Sequence, residues 1–170
     1  MDDPELYQQL DPEGMIGYID ALPEQIAAAW QHAQTMPLPN VDDVTRIVIC
    51  GMGGSAIGGS LLQTLLSDEC KLPILSHRDY QLPAFVGSDT LVIGSSHSGN
   101  TEETLGAFKD AQQRGARLVS FSTGGQIAEL SAEFGGTHWA FDSRSQPRAA
   151  VGYSLMLPLA LLSRLGLVRD

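Results

Sequence analysis

The chain has 170 residues, 43% of them hydrophobic and 18% charged, with a formal net charge of −10. That length and apolar content fit a domain that buries its own core and exclude a disordered chain. Residues 1–45 hold nine Asp or Glu and no Lys or Arg, against eleven acids and ten bases in the remainder, so there is no basic stripe for nucleic acid.

The N-terminus, MDDPELYQQL, lacks the basic and apolar regions of a signal peptide. No apolar run approaches the roughly 18 residues that span a bilayer. Cys50 and Cys70 read as reduced thiols, and a cytoplasmic location is expected, with no membrane and no nucleic-acid partner. From Glu13 to Gln34 the residues Met15, Ile16, Ile19, Leu22, Ile26, Ala29 and Trp30 are spaced for one or two amphipathic helices broken near Pro23. Residues 1–45 are therefore expected to form an acidic helical extension, and residues 46–170 a single domain.

That domain alternates short apolar runs with helical stretches. The runs are Arg46–Cys50, Pro73–Ser76, Thr90–Ser95, Arg117–Phe121 and Thr137–Phe141. The helical stretches are Gly58–Leu66, Asn100–Gly115, Gln126–Phe134 and Arg148–Leu165, with Pro158 expected to kink or split the last. Continuous apolar runs suit strands buried on both faces, and strand–helix alternation predicts a five-stranded, parallel, doubly wound α/β sheet flanked by helices. Ligands bind such sheets beyond the carboxyl ends of the strands, at the switch in strand order.

Three loops there carry chemistry. Gly51-Met52-Gly53-Gly54-Ser55-Ala56-Ile57-Gly58-Gly59 joins a strand to a helix, where main-chain N–H groups approach an anion. It also fits the looser dinucleotide pattern G-x-G-x-x-A, with Asp79 as the available ribose acid. In Ser95-Ser96-His97-Ser98-Gly99-Asn100-Thr101-Glu102-Glu103 the hydroxyls of Ser96, Ser98 and Thr101 form a neutral, donor-rich cradle suited to a phosphate monoester. Part of this loop is ordinary capping, with Asn100 as N-cap and Glu103 completing a capping box. No nucleophile elbow supports a triad through His97, which reads as a surface residue or one that backs a binding residue. In Gln146-Pro147-Arg148-Ala149-Ala150-Val151-Gly152-Tyr153, Arg148 falls in a helix's first turn, where the dipole opposes a cation. Either a bound anion offsets it or Asp142 pairs with it.

GMGGSAIGG followed some forty residues later by SSHSGNTEETL resembles the sugar isomerase (SIS) domain, and more narrowly the N-terminal half of bacterial and archaeal bifunctional phosphoglucose/phosphomannose isomerases. The Leu22-Pro23-Glu24-Gln25 and QPRAAVGY segments look like that family too, whereas His97 stands where it more often has Tyr or another residue. The resemblance implies aldose–ketose isomerisation of glucose 6-phosphate or mannose 6-phosphate to fructose 6-phosphate through a cis-enediolate, with no cofactor or metal. It implies substrate binding by Gly53, Gly54, Ser55, Ser96, Ser98, Thr101 and Arg148, with Arg148 also stabilising the enediolate. In that family the catalytic Glu and ring-opening His come from a second, tandem SIS domain, so the base is expected to be absent from this chain. Glu102 and Glu103 are better explained by the helix dipole. A stand-alone phosphosugar-binding or regulatory module is the alternative. A homodimer, or association with a second SIS domain, is expected through the apolar stretch Leu155–Leu165, which equally suits a buried core element.

Overall fold

Each of the five apolar runs becomes a strand. The structure, a computed structural model, describes residues 9–169, and Asp2, Asp3 and Glu5 of the acidic segment lie outside the described residues. Two helices, α1 (Met15–Asp20) and α2 (Leu22–Ala33), precede β1 (Arg46–Cys50), α3 (Gly53–Leu65), β2 (Ile74–His77) and β3 (Thr90–Ser95). They are followed by α4 (Glu102–Gln113), β4 (Arg117–Ser122), α5 (Gln126–Glu133), β5 (Thr137–Ala140), a 3-10 turn (Pro147–Ala149) and α6 (Val151–Arg164). The α1 start is fixed by Asp11, whose carboxylate accepts from the N–H groups of Met15 (2.7 Å) and Ile16 (2.8 Å).

All pairings are parallel and the order is β2-β1-β3-β4-β5, so the direction of winding switches between β1 and β3. Alternation along each strand divides the core in two. Ile47, Ile49, Leu91, Ile93, Val119 and Phe121 face α2, α3 and α6, where they meet Ala29, Ala33, Leu62, Leu157 and Leu161. Val48, Cys50, Val92 and Leu118 face α4 and α5 and pack on Phe108 and Ile127. Each Leu or Ile so buried contributes about 1.5–3 kcal/mol. The expected doubly wound α/β architecture is the one observed.

Two local expectations are corrected. Helix α3 begins at Gly53, not Gly58, so the glycine run from Gly53 to Gly59 makes up about its first two turns. The glycines are there for close approach, since a β-carbon on Gly58 would collide with Ser154 of α6. Pro158 does not split its helix either, and α6 runs unbroken from Val151 to Arg164. Pro158 offers no N–H to the Ser154 carbonyl, and that carbonyl lies where Gly58 lets α3 pack closely. Packing of α6 against both α2 and α3 then holds the helix together.

Candidate functional site

Beyond Cys50 the chain enters α3 directly. Gly53 has φ +51°, which favours glycine. The N–H groups of Ser55 and Ala56 both go to the Met52 carbonyl (3.0 and 3.2 Å), leaving those of Gly53 and Gly54 as first-turn donors without an acceptor among the described residues. Ser55 is buried, and its hydroxyl has no protein partner among the described residues. Gly54 abuts the Pro147 carbonyl, and a β-carbon there would also come within 3.2 Å of the Arg148 Cα. The glycine turn and the Arg148 segment are therefore neighbours.

The serine loop lies on the other side of the switch point. Ser96 is buried, its hydroxyl 3.0 Å from that of Thr101, and it accepts from the Gly99 N–H at 3.1 Å. Ser98 is exposed and accepts from the Asn100 N–H at 3.2 Å. The N–H groups of His97, Ser98 and Thr101 have no acceptor among the described residues. The loop is braced by the next one: Thr123 donates through N and Oγ1 to the His97 carbonyl (both 2.9 Å), and Ile127 N–H donates to the Gly99 carbonyl (3.0 Å). Gly99, at φ +72°, sits against the Gly124 carbonyl. Capping differs from expectation. Thr101 is the N-cap of α4, with no side-chain cap bond, and no capping box with Glu103 forms. Asn100 instead serves the neighbouring helix, its Oδ1 accepting from Gln126 N–H of α5 at 3.0 Å. Glu102 points to the Tyr80 hydroxyl at 3.5 Å.

The third segment places Arg148 in the exposed 3-10 turn, one residue before Ala149 and ahead of α6, so it is not in an α-helical first turn. Arg148 pairs with neither Asp142 nor any other carboxylate among the described residues. Beneath the turn Ser55, Ser95 and His97 meet Pro147, Ala150 and Tyr153 around a cavity of about 10 Å³, room for a water and no more. An open concavity of about 530 Å³ adjoins it, lined by His32, Thr123, Asp142 and the same Tyr153. Concavities of about 630 and 490 Å³ near Asp68 and Phe85 lie at the opposite ends of the strands, away from the hydroxyl-bearing loops.

His97 is half-buried. Its Nε2 is 3.2 Å from the Ser143 hydroxyl, its ring is edge-on to Phe141, and burial lowers its pKa below the ordinary 6.5. Tyr153 stacks on Phe141 at 4.7 Å, and burial and then Asp142 raise its pKa. Burial pushes the Cys50 thiol up to about 12, which removes it as a nucleophile. Asp79, the acid of the dinucleotide pattern, accepts from the adjacent Tyr80 N–H at 2.7 Å. Among the described residues no three His, Cys, Asp or Glu converge on a metal position, and no helix is long and apolar enough to cross a membrane. Sequence reasoning gave no role to Ser95, Tyr153 or Thr123. Ser95 ends a strand at the switch point, which is a usable signal; the other two are brought in only by the fold.

No family model matches the chain. In sequence it is 47% identical over 148 residues to the bifunctional phosphoglucose/phosphomannose isomerase of Caldicellulosiruptor bescii, a match covering 86% of this chain and 44% of that protein. The chain thus spans less than half the length of that relative. Among solved structures, the C-terminal domain of glucosamine-fructose-6-phosphate aminotransferase from Francisella tularensis superposes with a TM-score of 0.68 at 14% identity, covering 87% of this chain and 47% of that one. The Vibrio vulnificus NanR protein complexed with ManNAc-6P gives 0.58 at 21% identity, covering 95% and 65%. At these identities both structures bear on the fold alone.

Proposed function

We propose that this chain, which has the sugar-isomerase (SIS) fold and resembles in sequence the bifunctional phosphoglucose/phosphomannose isomerases, is the phosphosugar-binding part of an aldose–ketose isomerase. The observation that carries the reading is the convergence, at one switch point, of free N–H groups and hydroxyls from two helix starts with the turn bearing Arg148. Gly53, Gly54, Ser55, Ser96, Ser98 and Thr101 hold the 6-phosphate. A phosphate monoester satisfies such donors and is favoured by both helix dipoles.

The substrate is glucose 6-phosphate or mannose 6-phosphate. Once the ring is open, a carboxylate takes the C2 proton and returns it to C1, giving fructose 6-phosphate through a cis-enediolate. Arg148, free of any carboxylate partner among the described residues, stabilises the oxyanion as it forms. No residue of this chain is assigned as the base. The base belongs to the part of the longer relatives that this chain does not span. Partnership with a second SIS domain, or with a second copy in a cytoplasmic homodimer, follows from the same reading. The other reading is a stand-alone phosphosugar-binding or regulatory module without catalysis, in which the same cradle holds the ligand and no base is needed.

Calorimetric titration tests the ligand class. Hexose 6-phosphates bind, whereas glucose and NAD do not; glucose binding as tightly as glucose 6-phosphate refutes the phosphate cradle. A coupled fructose 6-phosphate assay separates the two readings. Turnover appears only when the segment supplying the base is present, because general-base assistance is worth roughly 10²–10⁴ in rate.

A further inference from the structure

Arg148 rides on a single 3-10 turn, and the way that turn is held involves a residue far away in the chain. The Ala149 and Ala150 N–H groups close the turn onto the Gln146 and Pro147 carbonyls (2.8 and 3.2 Å). The first bond of the following helix, from Ser154 N–H, goes to the Ala150 carbonyl at 3.3 Å. The carbonyl of Ala149, a buried residue, is therefore skipped, and no backbone N–H among the described residues reaches it. Its donor is Nε2 of Gln25, on α2 and 124 positions earlier, at 3.0 Å. The Gln25 stem is pressed against Gly152, where a β-carbon would lie 3.0 Å from Gln25 Cγ. Glu13 adds a second tie, accepting from Gln146 Nε2 at 3.0 Å. On its other side the turn abuts Gly54 at the start of α3.

We propose that Gln25 is the positioning residue for Arg148, its amide fixing the backbone from which Arg148 reaches the substrate. This rests on the reading of Arg148 given above. The amide satisfies the buried Ala149 carbonyl, which no backbone N–H among the described residues reaches, but it leaves its own oxygen unpaired. Gln25 Oε1 is buried with no partner among the described residues, an arrangement that an apolar side chain of the same length avoids. The N-terminal helices are thereby part of the site, with Gln25 and Gly54 holding one turn from two sides.

The test is a double-mutant cycle on the 170-residue chain, read by calorimetry with two probes. One is inorganic phosphate. The other is a 5-phosphopentonate, whose carboxylate stands where the enediolate oxygens form. Gln25→Met keeps the packing and removes the donor. It is expected to weaken pentonate binding about three- to tenfold, to leave phosphate within about twofold, and to lower the melting temperature only modestly, because the buried Ala149 carbonyl loses its donor while the unpaired Gln25 oxygen goes with it. In an Arg148→Met background it is expected to change nothing further. Gln25→Glu, with the donor replaced by a carboxylate oxygen, is expected to lose at least as much and serves if the Met variant melts too low to titrate. Unaltered pentonate binding in the Gln25 variants, an equal loss for both probes, or a full loss persisting in the Arg148→Met background overturns the proposal for Gln25. If Arg148→Met itself leaves pentonate binding intact, the role of Arg148 fails first and the proposal with it, which is a distinct result.

Discussion

Gly99→Ala tests the claim that the serine loop owes its shape to its neighbour. Gly99 has φ +72°, and an L-residue held there costs about 1–2 kcal/mol. A methyl group at this position also collides with the Gly124 carbonyl. Relieving that collision separates two loops joined by Ile127 N–H to the Gly99 carbonyl and Gln126 N–H to Asn100 Oδ1, both at 3.0 Å. Losing both bonds adds about 2 kcal/mol, for a total of about 3–4 kcal/mol. For a chain of this size that lowers the melting temperature by about 6–16 °C. Gly135→Ala is the control. Gly135 also has a left-handed φ, of +68°, but nothing lies within 4 Å of its β-carbon position. It is expected to cost only about 1–2 kcal/mol, or about 2–8 °C. Thermal melts of both variants, with phosphate titrations of each, settle the matter. If Gly99→Ala melts with Gly135→Ala and retains wild-type phosphate affinity, the two loops are not mechanically joined and the reasoning is wrong.

Two further outcomes are expected. Ser98→Ala weakens hexose 6-phosphate binding by about 1 kcal/mol, roughly fivefold, on titration, and an unchanged affinity removes Ser98 from the cradle. Burial holds the folded-state pKa of His138 below 6.5, so the unfolded chain takes up its proton first as pH falls. The stability from this group is complete above pH 6.5 and is lost as pH falls through the depressed value. Melting temperature is therefore expected to drop more for the wild type than for His138→Gln between about pH 7.5 and 5.5, a comparison in which the easing of overall negative charge cancels. Parallel profiles refute it.

The strands were the most legible elements, since Ile47–Cys50 or Leu91–Ile93 are apolar on both faces, as central parallel strands must be. The start of α3 was hidden because five glycines read as a loop by propensity. What makes four of them helical is the surface of α6 and the Pro147 turn, 90 and more positions later. Pro158 misled for a similar reason, a local cost being outweighed by packing on both sides of the helix. Of the candidate site, the hydroxyls and glycines could be placed from motif and position after a strand. The redirected Asn100 cap and the Gln25–Ala149 bond could not, because each joins segments that only the tertiary fold brings together.

Helix α6 fits between α2 and α3, completing the layer that covers Ile47, Ile49, Leu91 and Ile93. On a ribosome the sheet-forming segments β1 to β4 emerge before α6, with that hydrophobic face still uncovered and Ala29 and Ala33 awaiting the helix that buries them. At about 5–20 residues per second the interval from the end of β4 to the end of α6 lasts a few seconds, long against the collapse of a small chain. The nascent protein is thus exposed to aggregation until α6 has emerged, and this stage is where a chaperone has something to grip. Substitutions that weaken α6 are expected to lower the yield of soluble protein more than the stability of the molecules that do fold.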